Sequence, residues 1–362
     1  MGWLHGGTVT VGIGYFPGSI QKKVPMYPPP IYIWDVEESA LLMSVMQWAP
    51  RWMELYSPCI ENLKLTEMTL GGSHDSGTYV RDQLDVITQS LNIEDQLMSG
   101  VRVLDLRIRQ DHSNLDRKDQ FFIGHGVITF DLKLSDVLEQ VVSFLKKTDK
   151  EIVILDFHEF RGTWSALDLS VLTQLLFDYL RPYLISRSYA NSTVGEIWKT
   201  PGRVVACAFS GVLGNVYYGE QYPITDQEFW WMNGVEQMYQ GTAITTWSNV
   251  TDYMDGVLAE TTRPWDHLWS LQTGYYIGYG ASWIPTQVSN YFSFENGLKS
   301  NIVSMDWWRG VSPLTRGLMQ ANLMAYPNPN SNFSPLIVGV PLNILKGYRK
   351  SNNLAPWEGG KW

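Results

Sequence analysis

Titratable side chains recur at the ends of the predicted β-strands of this 362-residue chain. The residue types suit general acid–base chemistry, because histidines lie near carboxylates and an arginine in the linear order of strand ends. In a barrel of parallel strands the carboxyl ends of all strands form one face, and their side chains converge on one pocket. The residues concerned are His74, Asp75, Asp105, Arg107, His125, His158 and Asp306.

Short apolar runs supply the strands that would position these residues. They alternate with helical or loop stretches, as expected for βα units around a parallel sheet. Leu134 to Leu145 keeps helical spacing with Ser135 as a candidate N-cap, and Leu172 to Tyr179 repeats the pattern before Pro182. We therefore predict an α/β fold, a distorted (β/α)₈ TIM barrel. The eight predicted strands are Thr66–Leu70, Val101–Ile108, Phe121–Ile123, Ile152–Phe157, Val204–Phe209, Ala243–Trp247, Leu268–Gln272 and Ile302–Asp306.

The first 45 residues differ from the rest of the chain. Alternation over 8–11 and the apolar run over 31–34 predict a short N-terminal β extension outside the barrel. We predict an extension over 1–45, a barrel domain over 46–340 and a C-terminal tail over 341–362. The aperiodic stretch over 211–240 is predicted to be a long loop after the fifth strand.

Composition limits the classes of partner. A net charge of -9 argues against a nucleic-acid partner, since such proteins neutralise phosphates with clustered Lys and Arg. Contact with a membrane surface would rely on apolar and aromatic side chains, for which 16 Trp and 19 Tyr are available. The start of the chain lacks the pattern of a signal peptide or transmembrane segment. We expect a cytoplasmic or peripheral membrane protein, with secretion and the oligomeric state left open.

Each candidate residue also has a purely structural interpretation. A lone histidine at a strand end is more often structural than functional, and His5, His112 and His267 keep that interpretation. Asp105 and Arg107 would point to the same face of a strand and could form only an ion pair. Asp306 is harder to explain in this way, because a carboxylate that closes an apolar strand needs a partner.

Several ordered segments resemble a known family. Residues 70–79 (LGGSHDSGTY) are similar to the first-strand signature of the phosphatidylinositol-specific phospholipase C catalytic domain. Residues 100–107, 124–126 and 151–157 resemble the second, third and fourth strand motifs. Residues 303–322 resemble the closing strand and helix of the bacterial members. The resemblance spans roughly residues 52 to 322, and because its motifs occur in the family's order, coincidence is improbable.

The resemblance implies a role for each residue. His74 corresponds to the general base, oriented by Asp306, and His125 to the general acid, with Asp75 beside it. Arg107 corresponds to the cation that stabilises the phosphate oxygens. The implied reaction cleaves a phospholipid headgroup at a membrane surface through a cyclic phosphodiester. His158, Asp105 and Trp247 are implied as substrate-binding residues, with Trp247 stacking on the headgroup or, equally, packing in the core.

No metal and no cofactor is expected. The animal members hold calcium with an Asn, two acids and a Glu, whereas this chain has Asp75, Asp105, Arg107 and His158 at those positions. An arginine keeps its charge and would repel the ion. The same residues argue against the magnesium-dependent glycerophosphodiesterase and sphingomyelinase D barrels.

Headgroup specificity is where the resemblance is weakest. The family's inositol-binding arginine is replaced by Ala208, and the acid and tyrosine beyond the sixth strand by Thr245 and Trp247. Two alternatives therefore stay open: a phosphodiesterase for a different headgroup, and a barrel that binds phospholipid headgroups without cleaving them.

Overall fold

The structure is a computed structural model, and the chain divides into two compact units, residues 49–325 and residues 1–48 with 326–362. In the smaller unit β1 (Trp3–His5), β2 (Thr8–Gly12) and β3 (Gln21–Pro25) form an antiparallel sheet, which confirms the predicted β extension. The predicted boundaries at residues 45 and 340 stay predictions, and the run over 31–34 lies outside the described residues. The structure describes residues 3–5, 8–12, 21–25, 49–80, 87–111, 113, 116, 119–208, 230–231, 234–238, 247–260, 267–273, 291, 300–306 and 308.

The larger unit is built on one curled, mostly parallel sheet. Its strand order is β10-β9-β8-β5-β4-β13-β12-β11, with the β6–β7 hairpin paired to β5. Helices alternate with these strands, as predicted for a distorted α/β barrel. The strands are β4 (Leu70–Ser73), β5 (Val103–Gln110), β6 (Phe121–His125), β7 (Ile128–Lys133), β8 (Val153–Arg161), β9 (Val204–Ala208), β10 (Trp230–Trp231), β11 (Glu236–Met238), β12 (Trp269–Gln272) and β13 (Ile302–Met305).

Two long helices pack against each other and share the hydrophobic core of the barrel strands. Both were predicted from their apolar spacing, although Ser135 lies inside the first helix and not at its cap. The second begins after Ser165, whose hydroxyl caps it, and ends before Pro182. The helices are α1 (Trp52–Leu55), α2 (Ser57–Ile60), α3 (Ile93–Met98), α4 (Leu134–Lys146), α5 (Ala166–Leu180), α6 (Val194–Ile197) and α7 (Trp247–Glu260), with 3₁₀ turns at Ala49–Arg51, Leu65–Glu67, Thr78–Val80 and Arg187–Tyr189. Within the described part of the chain, no helix is both long enough and apolar enough to cross a membrane.

The first barrel strand starts later than predicted. It runs over Leu70–Ser73, and Leu65–Glu67 forms a 3₁₀ turn instead. Glycine weakens a strand by propensity, but a Cβ at Gly71 would lie 2.6 Å from the Trp308 ring and one at Gly72 would lie 2.5 Å from Ser304 Oγ. Close packing against these neighbours therefore explains why glycines occupy this strand.

Two other strand predictions were wrong in kind. β6 was predicted as a parallel barrel strand, yet it pairs antiparallel with the end of β5 and continues into β7. The turn residue Gly126, at a φ of +58°, allows this tight reversal. A run of three apolar residues cannot distinguish the two pairings from the sequence.

The predicted sixth strand also falls elsewhere. Trp247 begins helix α7, and residues 243–246 lie outside the described residues. The strand that pairs in parallel with β12 is β11, within the stretch predicted as a loop. Its residues Glu236, Gln237 and Met238 include only one apolar side chain, so hydrophobic periodicity did not reveal it.

A buried ion pair lies at the amino ends of the barrel strands, opposite their carboxyl ends. Arg102 and Glu151 are each fully buried and directly bonded. Arg102 also donates to the carbonyls of Ala49 and Pro50 at 3.0 Å. Glu151 accepts from the backbone N–H groups of Met53 and Glu54. The pair thus binds residues 49–54 to the segments that lead into β5 and β8.

Candidate active site

The site begins at the turn after β4. Asp75 has a φ of +46°, a left-handed conformation that costs a residue other than glycine on the order of 1–3 kcal/mol. The N–H groups of Asp75 and Ser76 donate to the carboxylate and carbonyl of Asp105, at 3.2 and 2.9 Å. Thr78 Oγ1 donates to Asp75 O at 3.0 Å. These bonds hold the His74 and Asp75 side chains against the end of β5.

His74 is bonded through Nδ1 to Asp306, the residue that follows β13. Its Nδ1 lies 2.6 Å from Asp306 Oδ1. Gln89 fixes both backbones, because its Nε2 donates to the carbonyls of His74 (2.8 Å) and Met305 (3.0 Å). A proton on Nδ1 that is donated to Asp306 leaves Nε2 as an acceptor, which is the tautomer that a general base requires.

Arg107 occupies the centre of the site and is buried. Its Nε is 2.5 Å from Asp75 Oδ1, and its Nη2 is 3.3 Å from Asp105 Oδ2. The same Nη2 is 2.8 Å from His74 Nε2. A guanidinium can only donate, so this contact is a hydrogen bond when His74 Nε2 carries no proton. Arg107 therefore contacts three of the neighbouring side chains at once.

The second histidine reaches the same pocket from the hairpin. His125 Nε2 lies 3.4 Å from Asp75 Oδ2, and His74 Nε2 lies 3.4 Å from that same oxygen. The close approach of β6 depends on Gly77, where a Cβ would lie 2.7 Å from Ile123. The two imidazoles consequently face one pocket from either side of Asp75.

The carboxylates control the charge of His74. Burial lowers the pKa of His74, but Asp75 and Asp306 together outweigh this and raise the pKa to about 9. The charge of Arg107, like burial, lowers the pKa of His74. Protonation of Nε2 favours an ion pair with Asp75, whereas the 2.8 Å contact with Arg107 is a hydrogen bond only when Nε2 carries no proton.

The two buried aspartates beside Arg107 differ in their titration. Burial raises the pKa of Asp75, although Arg107 and His74 oppose this. Burial also raises the pKa of Asp105, but Arg107 and the neighbouring histidines outweigh it and hold that pKa well below its usual range. Asp105 is therefore the fixed negative charge that anchors the guanidinium of Arg107.

One group of residues resembles a metal site in its spacing. His74, Asp75 and Asp105 offer ligand atoms within 4.8 Å of one another. The guanidinium of Arg107 contacts each of the three, and its charge is permanent. Calcium takes about six to eight oxygen ligands, whereas one of these three groups is an imidazole. The residues present do not fit a calcium ion.

The structure brings six of the predicted site residues together: His74, Asp75, Asp105, Arg107, His125 and Asp306. His158 stands at the edge of this group, with Nδ1 4.0 Å from Asp156 Oδ2. Ala208 ends β9 and is fully buried. Trp247 begins helix α7 and does not end a barrel strand, and its stacking role stays a prediction.

The sequence interpretation missed four polar residues around the site: Gln89, Asp156, Gln237 and Gln272. Asp156 had a visible signal, because it interrupts the apolar run from Ile152 to Phe157. Gln237 and Gln272 had none, since an isolated glutamine in a short strand is common. Asp156 is fully buried, and Gln237 Nε2 donates to its Oδ2 at 2.6 Å.

Comparison with known proteins gives one family. Residues 64–193 match the model "Phosphatidylinositol-specific phospholipase C, X domain". Human "PI-PLC X domain-containing protein 2" is 30% identical over 135 residues, which cover 30% of this chain and 43% of that protein. The Listeria monocytogenes "1-phosphatidylinositol phosphodiesterase" is 23% identical over 209 residues, 54% of this chain and 60% of that protein. The matched segments thus span less than two thirds of these relatives.

A solved structure supports the same fold. The phosphatidylinositol-specific phospholipase C of Staphylococcus aureus superposes with a TM-score of 0.56 at 16% identity, covering 77% of this chain and 99% of that one. At this identity the likeness concerns the fold, and it confirms the predicted barrel.

Proposed function

We propose that the chain, whose residues 64–193 match the phosphatidylinositol-specific phospholipase C X domain, is a metal-independent phosphodiesterase that cleaves a glycerophospholipid headgroup. The observation that carries the proposal is the placement of His74 Nε2 and His125 Nε2, each 3.4 Å from Asp75 Oδ2. Two imidazoles on either side of one pocket, with an arginine between them, suit proton transfer at both ends of a phosphodiester.

The reaction begins with the base. A headgroup hydroxyl next to the phosphate gives its proton to His74 Nε2, and its oxygen attacks phosphorus. Asp306 keeps Nδ1 protonated, so that Nε2 is the basic nitrogen. For this step Arg107 has to leave Nε2, and the incoming phosphate gives its guanidinium a stronger, charged acceptor.

The second proton transfer completes the cleavage. As the phosphorus–oxygen bond to diacylglycerol breaks, His125 gives its proton to the departing oxygen. The products are diacylglycerol and a cyclic phosphodiester of the headgroup. Water can then open the ring with the two histidines in exchanged roles, as microscopic reversibility requires.

The test is turnover of phosphatidylinositol in mixed micelles, with the phosphorus products followed by ³¹P NMR. We expect the signal of a cyclic phosphodiester before that of any monoester. Binding of vesicles without release of diacylglycerol would instead support the non-catalytic headgroup-binding barrel. Turnover of another phospholipid in place of phosphatidylinositol would support the same chemistry on a different headgroup.

A further inference from the structure

Strands β5 and β8 extend beyond their other parallel neighbours at the carboxyl end of the barrel. The pairing of β4 with β5 ends at Leu104, and that of β9 with β8 ends at Phe157. The ladder between β5 and β8 continues as far as Arg109 and Arg161, which are paired in register. Neighbouring strands lie about 4.8 Å apart, so these two arginines stand side by side at the entrance to the site. We call Arg109 and Arg161 the rim arginines.

The rim arginines face the same side of the sheet as Arg107. Ile108 on β5 belongs to the hydrophobic core, and Phe160 on β8 packs against that core. Because side chains alternate across a strand, Arg107, Arg109 and Arg161 point to the opposite face. Two residues along a strand span about 6.5 Å, so the backbone of the rim arginines lies roughly that far beyond Arg107, toward the carboxyl ends of the strands.

The side chains of the rim arginines converge over the β6–β7 hairpin. A Cβ added at Gly124 of β6 would lie 3.6 Å from Arg109 Cβ and 4.0 Å from Arg161 Cγ. Arg109 Nη1 donates to the carbonyl of Val127, in the hairpin turn, at 2.8 Å. The Arg161 side chain thus leans across β5, because β8 and β6 pair with opposite edges of that strand.

Carboxylates balance the charge of the rim arginines only in part. Arg107 already has two aspartate partners. Glu159 Oε1 lies 2.5 Å from Arg161 Nη2, and Glu159 Oε2 lies 3.9 Å from Arg107 Nη1. Among the residues that the structure describes, no other carboxylate forms an ion pair with either rim arginine. Like charges side by side on adjacent strands are destabilising, so the excess positive charge favours binding of an anion.

Arg161 also has an unused hydrogen-bond donor. Its Nε is buried and has no hydrogen-bond partner, although the side chain is 34% exposed. A buried polar group without a partner costs about 1–3 kcal/mol, so native proteins rarely keep one without a reason. The planar fork of a guanidinium matches the oxygens of a phosphate group. A phosphate would therefore supply both the missing acceptor and the missing negative charge.

Exposed aliphatic side chains are adjacent in the chain to the elements that carry the rim arginines. Val127, whose carbonyl accepts the bond from Arg109, is 90% exposed. Leu167, in the first turn of the helix that follows β8, is 67% exposed. Exposed apolar side chains beside cationic ones are typical of a surface that lies against anionic lipid headgroups. This combination favours a phosphate in a bilayer over a free phosphate ion.

We propose that Arg109 and Arg161 form a second phosphate-binding site, which holds the phosphodiester of an anionic phospholipid that is not itself cleaved. The site is distinct from the position between the two histidines where the proposed reaction takes place. It needs no headgroup hydroxyl, and no bond is made or broken in it. The inference therefore goes beyond the proposed function and is tested without turnover.

The experiment measures partition of the protein onto vesicles by sedimentation. Vesicles of phosphatidylcholine are compared with vesicles that also contain phosphatidylmethanol, an anionic diester whose headgroup has no hydroxyl for cyclic cleavage. The variants are Arg109→Gln, Arg161→Gln and the double variant. The control is Arg181→Gln, which removes the same charge at the opposite end of the helix that carries Leu167. Thermal unfolding monitors the fold of each variant.

We expect each single rim variant to lower the partition constant onto phosphatidylmethanol vesicles about tenfold, the loss of roughly one charge-assisted hydrogen bond. The double variant should lose less than the product of the two, because both arginines hold one phosphate. Arg181→Gln should stay within about twofold of the wild type. Partition onto phosphatidylcholine alone should be weak for every protein, since its ammonium group offsets the phosphate charge.

Four results would overturn the inference. Rim variants that partition like the wild type would show that the site binds no lipid phosphate. An equal loss in Arg181→Gln would reduce the effect to net charge. Fully additive losses would mean two separate contacts. Calorimetry in which inorganic phosphate binds the wild type but not the double variant, with vesicle partition unchanged, would assign the site to the free ion.

The inference and the proposed function can fail separately. His74→Ala, which removes the proposed base, should partition like the wild type, because the rim arginines need no turnover. If the wild type cleaves no phospholipid while the rim variants lose partition, the proposed function fails and the second phosphate site stands. If turnover is found but the rim variants partition normally, the proposed function stands and this inference is wrong.

Discussion

His74 Nδ1 and Asp306 Oδ1 lie 2.6 Å apart although 232 positions separate the two residues in the chain. Gln89 holds this contact by bonding to the backbone on both sides of it. The pair links the first barrel strand to the last described one. Disruption of this contact is therefore expected to change both the orientation and the titration of the imidazole.

Replacement of Asp306 by Asn should shift the acid limb of the pH profile. The Asp306 carboxylate is one of the groups that raise the pKa of His74 to about 9, so its removal lowers that pKa. His74 then loses its proton at a lower pH and becomes a competent base earlier. The acid limb of log(kcat/KM) should move to lower pH, while maximal activity falls because the tautomer is no longer fixed. An acid limb that stays in place would contradict the assignment of His74 as the base.

The variants of the two histidines should differ in their activity on a substrate with an activated leaving group. His74→Ala and His125→Ala should each remove most turnover of phosphatidylinositol, by about 10²–10⁴-fold, and the double variant should add little. A p-nitrophenyl ester of inositol phosphate needs no general acid. It should rescue His125→Ala substantially and His74→Ala hardly at all.

Equal rescue of both histidine variants would show that neither has its proposed role. His267→Ala serves as the matched control, because that histidine pairs with Glu236 away from the catalytic cluster. It should keep activity on both substrates.

Activity should be independent of metal ions. The guanidinium of Arg107 contacts His74, Asp75 and Asp105, the three groups whose spacing resembles a cation site. Turnover should therefore survive EDTA. Arg107→Asp should abolish turnover in EDTA, and calcium should restore part of it, since an acid then replaces the cation. Loss of wild-type activity in EDTA, restored by calcium, would overturn the assignment of Arg107.

The neighbouring aspartates Asp105 and Asp156 should affect stability with opposite pH dependence. The pKa of Asp156 is raised on folding, so its ionisation destabilises the protein increasingly as pH rises above the unfolded value of 3.8. The stability gained by Asp156→Asn should therefore grow from about pH 4 upward. The pKa of Asp105 is depressed, so its contribution is present above the unfolded value and is lost as pH falls through the folded pKa.

Asp105→Asn should accordingly destabilise the protein most near neutral pH, with the difference shrinking toward pH 3. Urea unfolding of both variants and the wild type between pH 3 and 8 measures these slopes. If the change in unfolding free energy varied with pH in the same way for both variants, the pKa values of the two carboxyls would not shift in opposite directions and the prediction would be wrong.

That the candidate catalytic residues lie together was predictable from their types and from their places at strand ends. His74, His125 and Asp306 are titratable groups that end apolar runs, and parallel strands bring such ends together. The antiparallel pairing of β6 does not remove His125 from the site, since its Nε2 still lies 3.4 Å from Asp75 Oδ2. Strand pairing direction itself was not predictable, because three apolar residues fit either pattern.

The importance of the buried residues Asp156, Gln237 and Ser270 was not predictable for a different reason. Their significance depends on which face of a strand they occupy and on whether a partner is present. Asp156 and Ser270 look like interruptions of apolar strands in the sequence. Only the structure shows that Asp156 is in register with Asp105 and that Asp156 Oδ1 and Ser270 Oγ are buried without a hydrogen-bond partner. The strand that holds Gln237 lacks the alternation from which strands are identified.

The buried ion pair between Arg102 and Glu151 bears on how much of the chain is needed to fold. The family match begins at residue 64, yet Arg102 bonds the carbonyls of Ala49 and Pro50, and Glu151 bonds the N–H groups of Met53 and Glu54. A chain shortened to residue 64 would leave these donors and acceptors buried without partners, at about 1–3 kcal/mol for each group. We therefore expect the autonomous folding unit to start no later than Ala49, so that recombinant fragments or domain fusions have to retain those fifteen or so residues before the matched region.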